Sequence, residues 1–389
     1  MLDYLEKYPG DKTLDGLRNI AINVLGYSTY GQSQPWSPEP YNPNHSQKKA
    51  SPYFRAMLLV TEMILEAAFL PPKFLKLPVM SPSLQLLGEA IENLPQYTKD
   101  MLDRERQAAR QGLGPRNNLL SLLVRLCDQR RESSSGLSLS EDEIRGNLFI
   151  FSAAGFDTTA CTMGYAVTLL AAYPEWQDWI REELENLDPD ISKWEYEETF
   201  PECQRILAVM VCFTPLHCCE IPRQRNSTRS QFETLRLFTP TLHTIREIYE
   251  PQQITDSKGS HILNAPMTVF VSSQCIHYDP EIWGSDASEF KPSRWIDASG
   301  NLITPQKGTF LPWSAGPRMC PGMKMAQVEF VATFATLFRS SRCYPLNTVQ
   351  ESGEDPCKRL ERLMMDSMPK LTLQMRDPKA VKLKWIRDS

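Results

Sequence analysis

Apolar residues recur at helical spacing along the first third of the chain. Leu14 to Leu25 and Tyr53 to Phe69 each predict an amphipathic helix, joined by loops that carry proline and glycine. A polar linker lies around Ser133 to Gly136. Ser140-Glu141-Asp142-Glu143 then has the Ser-x-x-Glu form of a capping box, in which each side chain satisfies a free amide of the other residue. The apolar run that it opens continues to Ala172 and stops before Tyr173-Pro174. This predicts a helix of about 33 residues, roughly 50 Å long at 1.5 Å per residue, enough to cross a domain.

Beyond residue 200 the texture changes. MTVFVSS, within His261 to Ser273, is a β-branched and aromatic run that predicts a short strand. Asp279 to Trp295 reads as loop, Gly322 to Arg339 as helix, and KLTLQM (370–375) and VKLKW (381–385) as closing strands. The expected fold class is mainly α with a small β portion, and there is no internal repeat. One stretch breaks the pattern. Ile206, Leu207 and Met210 on one side and Phe232, Leu235 and Leu237 on the other are helical in spacing, whereas Val211 to Gln231 has no period. Removing 211–231 joins RILAVM to FETLRLF in one unbroken apolar repeat. Valine codons begin GT and a glutamine codon can end AG, so the segment has the form of a translated, unspliced intron. A natural surface loop is the alternative, although a long structureless loop inside a domain is unusual.

Composition narrows the classes. At 389 residues, 41% hydrophobic and 23% charged, the chain has ample material for a core. A net charge of −5 gives no footprint for nucleic acid. Ten cysteines without paired spacing are not a disulfide framework and read as reduced thiols. No uncharged apolar run is long enough to span a bilayer, and MLDYLEKYPGDK has no signal-peptide layout.

The chemistry concentrates in FLPWSAGPRMCPGMKMAQVEF, residues 310–330. Cys320 is expected at a helix N-cap with Pro321 at the first helical position, where free amides and the helix dipole favour a thiolate. Pro321 also removes one backbone donor to that sulfur. Gly316 and Gly322 allow close approach by something flat and bulky, and Arg318 reaches an anion beside the cysteine. Such a thiolate serves as a nucleophile or as a metal ligand; an inert buried thiol is the plain alternative. Ala154-Gly155-Phe156-Asp157-Thr158-Thr159 lies halfway along the long helix, where Gly and paired Thr are poor helix formers. The Thr158 hydroxyl is expected to bond back to the Ala154 carbonyl and open the helix into a groove. Glu233 and Arg236 stand at i and i+3, and Phe290-Lys291-Pro292-Ser293-Arg294-Trp295 is a rigid aromatic and cationic turn. His277 reads as a satisfied loop histidine, and His217-Cys218-Cys219 lacks the second paired element of a metal site.

In this order the four motifs resemble those of the cytochrome P450 family. The cysteine loop is similar to the family's haem-binding loop in its fungal style, with Trp313 and Ser314 where Phe and Gly are commoner. AGFDTT resembles the oxygen-activation groove, ETLR the Glu-x-x-Arg pair, and FKPSRW the turn whose arginine completes that pair. The resemblance runs from about Leu14 to the C-terminus outside 211–231. It implies that Cys320 is the axial thiolate of heme b, with Ala154, Gly155, Trp313, Gly316 and Gly322 around the cofactor and Arg246 and Arg318 on its propionates. It implies that Asp157 and Thr158 guide protons, and that Glu233, Arg236 and Arg294 form a buried structural ion network. The implied reaction inserts one oxygen atom from O2 into a small organic substrate, in fungal secondary metabolism. Electrons would come from NADPH through NADPH-cytochrome P450 reductase.

Against the resemblance, the expected domain is a single partial one over 1–389, lacking the N-terminal part of the fold and with an irregular insertion at 211–231. The family's place is the cytosolic face of the endoplasmic reticulum membrane, but its membrane anchor is absent from this chain, which leaves a soluble cytoplasmic protein as the other expectation. The rival reading is a non-catalytic remnant that does not bind haem productively.

Overall fold

The computed structural model describes residues 1–32, 36–37, 52–111, 117–131, 139–210, 233–256, 258–347 and 354–388. Its helices begin with α1 (Leu2–Lys7), α2 (Lys12–Tyr30), α3 (Pro52–Glu62), α4 (Ile64–Phe69), α5 (Pro72–Leu75), α6 (Pro82–Arg110), α7 (Leu119–Arg131) and α8 (Glu141–Ala172). They continue with α9 (Glu175–Leu184), α10 (Tyr196–Glu202), α11 (Gln204–Met210), α12 (Glu233–Leu237), α13 (Ser273–His277), α14 (Pro280–Trp283), α15 (Met323–Arg339) and α16 (Pro356–Met365). The strands are β1 (His243–Ile248), β2 (Gln252–Asp256), β3 (Gly259–Leu263), β4 (Met267–Ser272), β5 (Ser341–Pro345), β6 (Ser367–Pro369), β7 (Leu373–Met375) and β8 (Leu383–Arg387). They pair two by two, as β1–β4, β2–β3, β5–β8 and β6–β7, all antiparallel. Helix therefore dominates and the sheets are small, as the periodicity predicts. Among the described residues no helix is long and apolar enough to cross a membrane.

The chain divides into two compact units, one of Met1 with Leu14–Ala160 and one of Leu2–Thr13 with Cys161–Ser389. In the first unit, Ala56, Leu59 and Val60 of α3 pack with Leu75 of α5 and with Leu87 and Ala90 of α6. Gly88 permits this closeness, since a Cβ there would lie 2.9 Å from the Pro72 carbonyl oxygen and 3.0 Å from the Leu75 Cβ. The capping box forms as the sequence implies. The Glu143 amide donates to Ser140 Oγ at 3.2 Å, and the Ser140 amide donates to Glu143 Oε2 at 2.7 Å. The helix that it starts, α8, is 32 residues long and ends at Ala172. The predicted 53–69 helix is broken at Met63, whose backbone (φ −115°, ψ 41°) leaves the helical region, so α3 and α4 are separate.

In the second unit α15 is the central core helix. Phe330 stacks on Phe334 at 3.9 Å, Phe334 on Phe338 at 5.7 Å, and Phe338 meets Trp385 of β8 at 5.3 Å. Gln177 of α9 is buried and bonds to the backbone at two places far apart in the chain, Leu170 and Cys343. Its amide nitrogen donates to the carbonyls of Leu170 and Cys343, both at 2.6 Å, and its oxygen accepts the Cys343 amide at 2.9 Å. The predicted closing strand 370–375 is shorter than expected. Residues 370–372 form the turn of the β6–β7 hairpin, and only Leu373–Met375 are extended. The 279–295 stretch read as loop contains α14 and a 3-10 turn, Pro292–Trp295. The 211–231 segment lies outside the described residues; the helices on either side of it are α11 and α12.

Candidate active site

The sequence-predicted residues fall into three clusters. The first surrounds Glu233, which with Arg236 is fully buried on α12. Glu233 Oε1 accepts from Arg236 Nη2 at 2.7 Å, Arg294 Nε at 2.9 Å and the Lys291 amide at 3.0 Å. Its Oε2 accepts from Arg236 Nε at 2.8 Å and Trp295 Nε1 at 2.9 Å. The remaining Arg236 donors reach the carbonyls of His277 at 2.8 Å, Glu289 at 3.1 Å and Ala287. Arg294 is further paired with Asp286 at 3.1 Å. Hydrogen bonds from Lys291, then Arg294, hold the Asp286 carboxyl down to about 2. Glu233, Arg236 and Arg294 are thus brought together. Each charge has its partners, the condition under which a buried ion cluster is tolerated.

The second cluster is the cysteine loop. The Cys320 amide donates to the Trp313 carbonyl at 2.9 Å and closes a loop in which Ser314 (φ 61°) and Gly316 (φ 70°) are left-handed. Serine here is strained in a conformation that glycine adopts freely. Ser314 Oγ accepts from Arg246 Nη2 at 2.8 Å, fastening the loop to β1. Arg318 ends the 3-10 turn Gly316–Arg318 and is exposed. Cys320 is not the N-cap, and Pro321 is not the first helical residue: Gly322 is the cap and α15 starts at Met323. The physical reason lies in the backbone: Gly322 (φ −85°, ψ 1°) is outside the helical region, and its carbonyl accepts the Ala326 amide at 3.0 Å, although the Cys320 sulfur still takes amide hydrogens from Gly322 and Met323 as a cap would. Burial raises the Cys320 thiol pKa, and these two hydrogen bonds oppose the rise.

The third cluster is the middle of α8. The Thr158 hydroxyl donates to the Ala154 carbonyl at 2.9 Å, as expected, but α8 stays α-helical throughout and does not open. Thr158 is partly exposed and Ala154 exposed, whereas Asp157 is buried, at 6%. Arg18 of α2 pairs with Asp157 at 3.3 Å and with Glu62 of α3 at 3.2 Å, and lies over the Phe156 ring at 5.3 Å. Gly155 accommodates α2. A Cβ there would lie 2.8 Å from Leu25 Cδ1, so the first demand on this glycine is helix packing.

The protein-family model for cytochrome P450 matches residues 9–199 and 232–371. The chain belongs to the cytochrome P450 family. Among curated relatives, a phomenoic acid biosynthesis cluster cytochrome P450 monooxygenase of Leptosphaeria maculans is 31% identical over 373 residues, covering 88% of this chain and 59% of that protein. Cytochrome P450 monooxygenase 124 of Postia placenta is 27% identical, covering 93% of this chain and 64% of that protein. The chain thus spans about three-fifths of the length of these relatives. The crystal structure of a cytochrome P450, CYP102L1, shares the fold with a TM-score of 0.70 at 18% identity, over 100% of this chain and 74% of that one.

A P450 chain is expected to hold haem, and the cysteine loop fits such a group. Trp313 Nε1 is buried without a hydrogen-bond partner among the described residues. A Cβ on Gly316 would meet nothing within 4 Å, and two guanidinium groups, Arg246 and Arg318, belong to the loop or its anchor. Two buried residues stand out here, His277, which the sequence reading took for a satisfied loop histidine, and Glu329, which it did not single out. His277 is buried in α13, with Nε2 accepting the Leu311 amide at 2.8 Å. Glu329 of α15 is 6% exposed, and its Oε1 has no partner among the described residues. Neither carries a motif, and burial is what distinguishes them.

Burial alone pushes the Glu329 carboxyl up to about 8. The folded protein keeps this proton between about 4.5 and about 8 while the unfolded chain releases it. Stability from this residue is therefore present at low pH and lost as pH rises across that window. Glu329→Gln keeps the shape without the charge. It is expected to be a few kcal/mol more stable than the natural protein near pH 8 and nearly equal to it near pH 4. Urea denaturation at the two pH values checks this, and parallel pH profiles would contradict it.

Proposed function

We propose that this protein is a haem-thiolate monooxygenase that inserts one oxygen atom from O2 into a small organic substrate. The observation that carries the reading is the Cys320 sulfur, set ahead of α15 with amide hydrogens from Gly322 and Met323 directed at it. Haem bound at this sulfur would supply the oxidising chemistry. The residues of the chain then have separate tasks. The amides of Gly322 and Met323 stabilise negative charge on Cys320. Arg246 and Arg318 supply positive charge for the cofactor's carboxylates. Thr158 keeps its hydroxyl on α8 through the Ala154 carbonyl, where it can pass a proton, and Arg18 holds the Asp157 carboxylate in place. Trp313 and Gly316 are the loop positions against which the flat group would lie. Electrons would arrive from NADPH through NADPH-cytochrome P450 reductase, at the cytosolic face of the endoplasmic reticulum membrane, as in the family. A role in fungal secondary metabolism is supported by the name of the Leptosphaeria maculans relative, a biosynthesis-cluster enzyme.

The test is haem reconstitution followed by an absorption spectrum of the reduced, carbon-monoxide-bound protein. The natural chain is expected to show the Soret band of thiolate ligation, Cys320→Ala to lose it, and Cys161→Ala to keep it. Protein that takes up no haem would favour the non-catalytic remnant instead.

We also infer that residues 211–231 interrupt what was one helix. Met210, the last residue of α11, and Glu233, the first of α12, are both buried, at 1% and 0% exposed. The family match stops at 199 and resumes at 232. Sequencing of transcripts across this point should find messages that lack the segment, and a message that uniformly retains it would count against the inference.

A further inference from the structure

His277 is the last residue of the short helix α13, and three contacts radiate from it. Its carbonyl accepts from Arg236 Nη1 at 2.8 Å. Its ring packs against Phe310 with centroids 4.8 Å apart. Its Nε2 accepts the Leu311 amide at 2.8 Å. One helical turn earlier, the buried Ser273 hydroxyl donates to the Leu311 carbonyl at 3.4 Å. The side chains at i and i+4 of α13 thus grip both polar groups of one peptide residue, as a neighbouring strand would. Leu311 opens the loop that ends at Cys320. Its carbonyl also accepts the Ser314 amide at 3.1 Å, and the adjoining Trp313 carbonyl accepts the Cys320 amide at 2.9 Å.

We propose that His277 is a positioning residue for the cysteine loop: its unprotonated Nε2, aided by the Ser273 hydroxyl, fixes Leu311 and ties the loop bearing Cys320 to the Arg236–Glu233 network. The protonation state that this needs is supplied by the surroundings. Burial first, and then the charge of Arg236, hold the imidazole pKa down to about 3, so the ring is a neutral acceptor at physiological pH. Phe310 is held in place by Trp295 at 5.4 Å and Trp283 at 6.2 Å, and Trp283 also lies under Arg236 at 5.5 Å. The ion network and the loop entrance therefore share one aromatic wall, with His277 as the polar link across it. The inference rests on the reading of Cys320 as the haem ligand only for its functional consequence. The anchor itself is a property of the folded chain.

Hydrogen exchange at the Leu311 amide, measured on the full chain without haem, reads the anchor directly. His277→Phe keeps the ring packing and removes the acceptor, and is expected to speed this exchange by at least about fivefold. His277→Gln can place an amide oxygen near the Nε2 position and should stay within about twofold of the natural protein. Should the phenylalanine variant not accumulate as folded protein, His277→Asn, too short to reach Leu311, replaces it with the same expected acceleration. Unchanged exchange in the acceptor-less variant, or equal acceleration in His277→Gln, would overturn the proposal. On the haem-loaded protein, the thiolate-type share of the reduced carbon-monoxide spectrum should fall in His277→Phe and be kept in His277→Gln. Equal shares in the two variants would also overturn it. If the natural chain itself shows no thiolate band, the Cys320 reading fails, and the exchange result still decides the anchor.

Discussion

A carboxylate stripped of water is the constraint on which this structure turns. Glu233 has no solvent exposure, and an ion in that position is tolerated only if its lone pairs are occupied. They are occupied by groups from three separate places: Arg236 on the same helix, the Lys291 amide, and the Arg294 and Trp295 side chains. Arg236 in turn needs acceptors, and finds them in the carbonyls of His277, Ala287 and Glu289. Satisfying one buried charge therefore fixes the course of the chain from α13 to Trp295. The cysteine loop is built on that fixed course, through Leu311 and the aromatic wall of Phe310, Trp283 and Trp295.

Signals that depend on a few neighbouring residues were legible in the sequence. The capping box at Ser140 and the extent of α8 follow from local hydrogen bonding and an unbroken apolar run. The bond from Thr158 to the Ala154 carbonyl follows from helical geometry. The pairing of Glu233 with Arg236 is visible as spacing, and the family motifs add Arg294. What the spacing does not reveal is that the pair is buried, or that backbone carbonyls far along the chain complete it.

What the sequence left out was decided either by the backbone conformation of a single residue or by contacts between distant elements. A helix beginning at Pro321 is the natural expectation from propensity. The Cys320 sulfur does take the amide hydrogens that a cap would, but Gly322 (φ −85°, ψ 1°) leaves the helical region and the helix starts two residues later, at Met323. Gly155 is visible in the sequence as a poor helix former, and the structure adds that Leu25, distant in sequence, lies where its Cβ would be. Arg18 was not singled out at all. Its pairing with both Asp157 and Glu62 requires α2, α3 and α8 to meet, which no pattern within any one of them announces.

The central claim is that this frame holds the Cys320 sulfur ready to ligate haem iron. Resonance Raman spectroscopy of the ferric, haem-loaded protein, prepared with ordinary and with heavy-sulfur cysteine, measures it most directly. An iron–sulfur stretching band that moves to lower frequency with the heavier isotope, and that disappears in Cys320→Ala, is the predicted result. A haem-loaded protein whose low-frequency spectrum is indifferent to the sulfur isotope would contradict it.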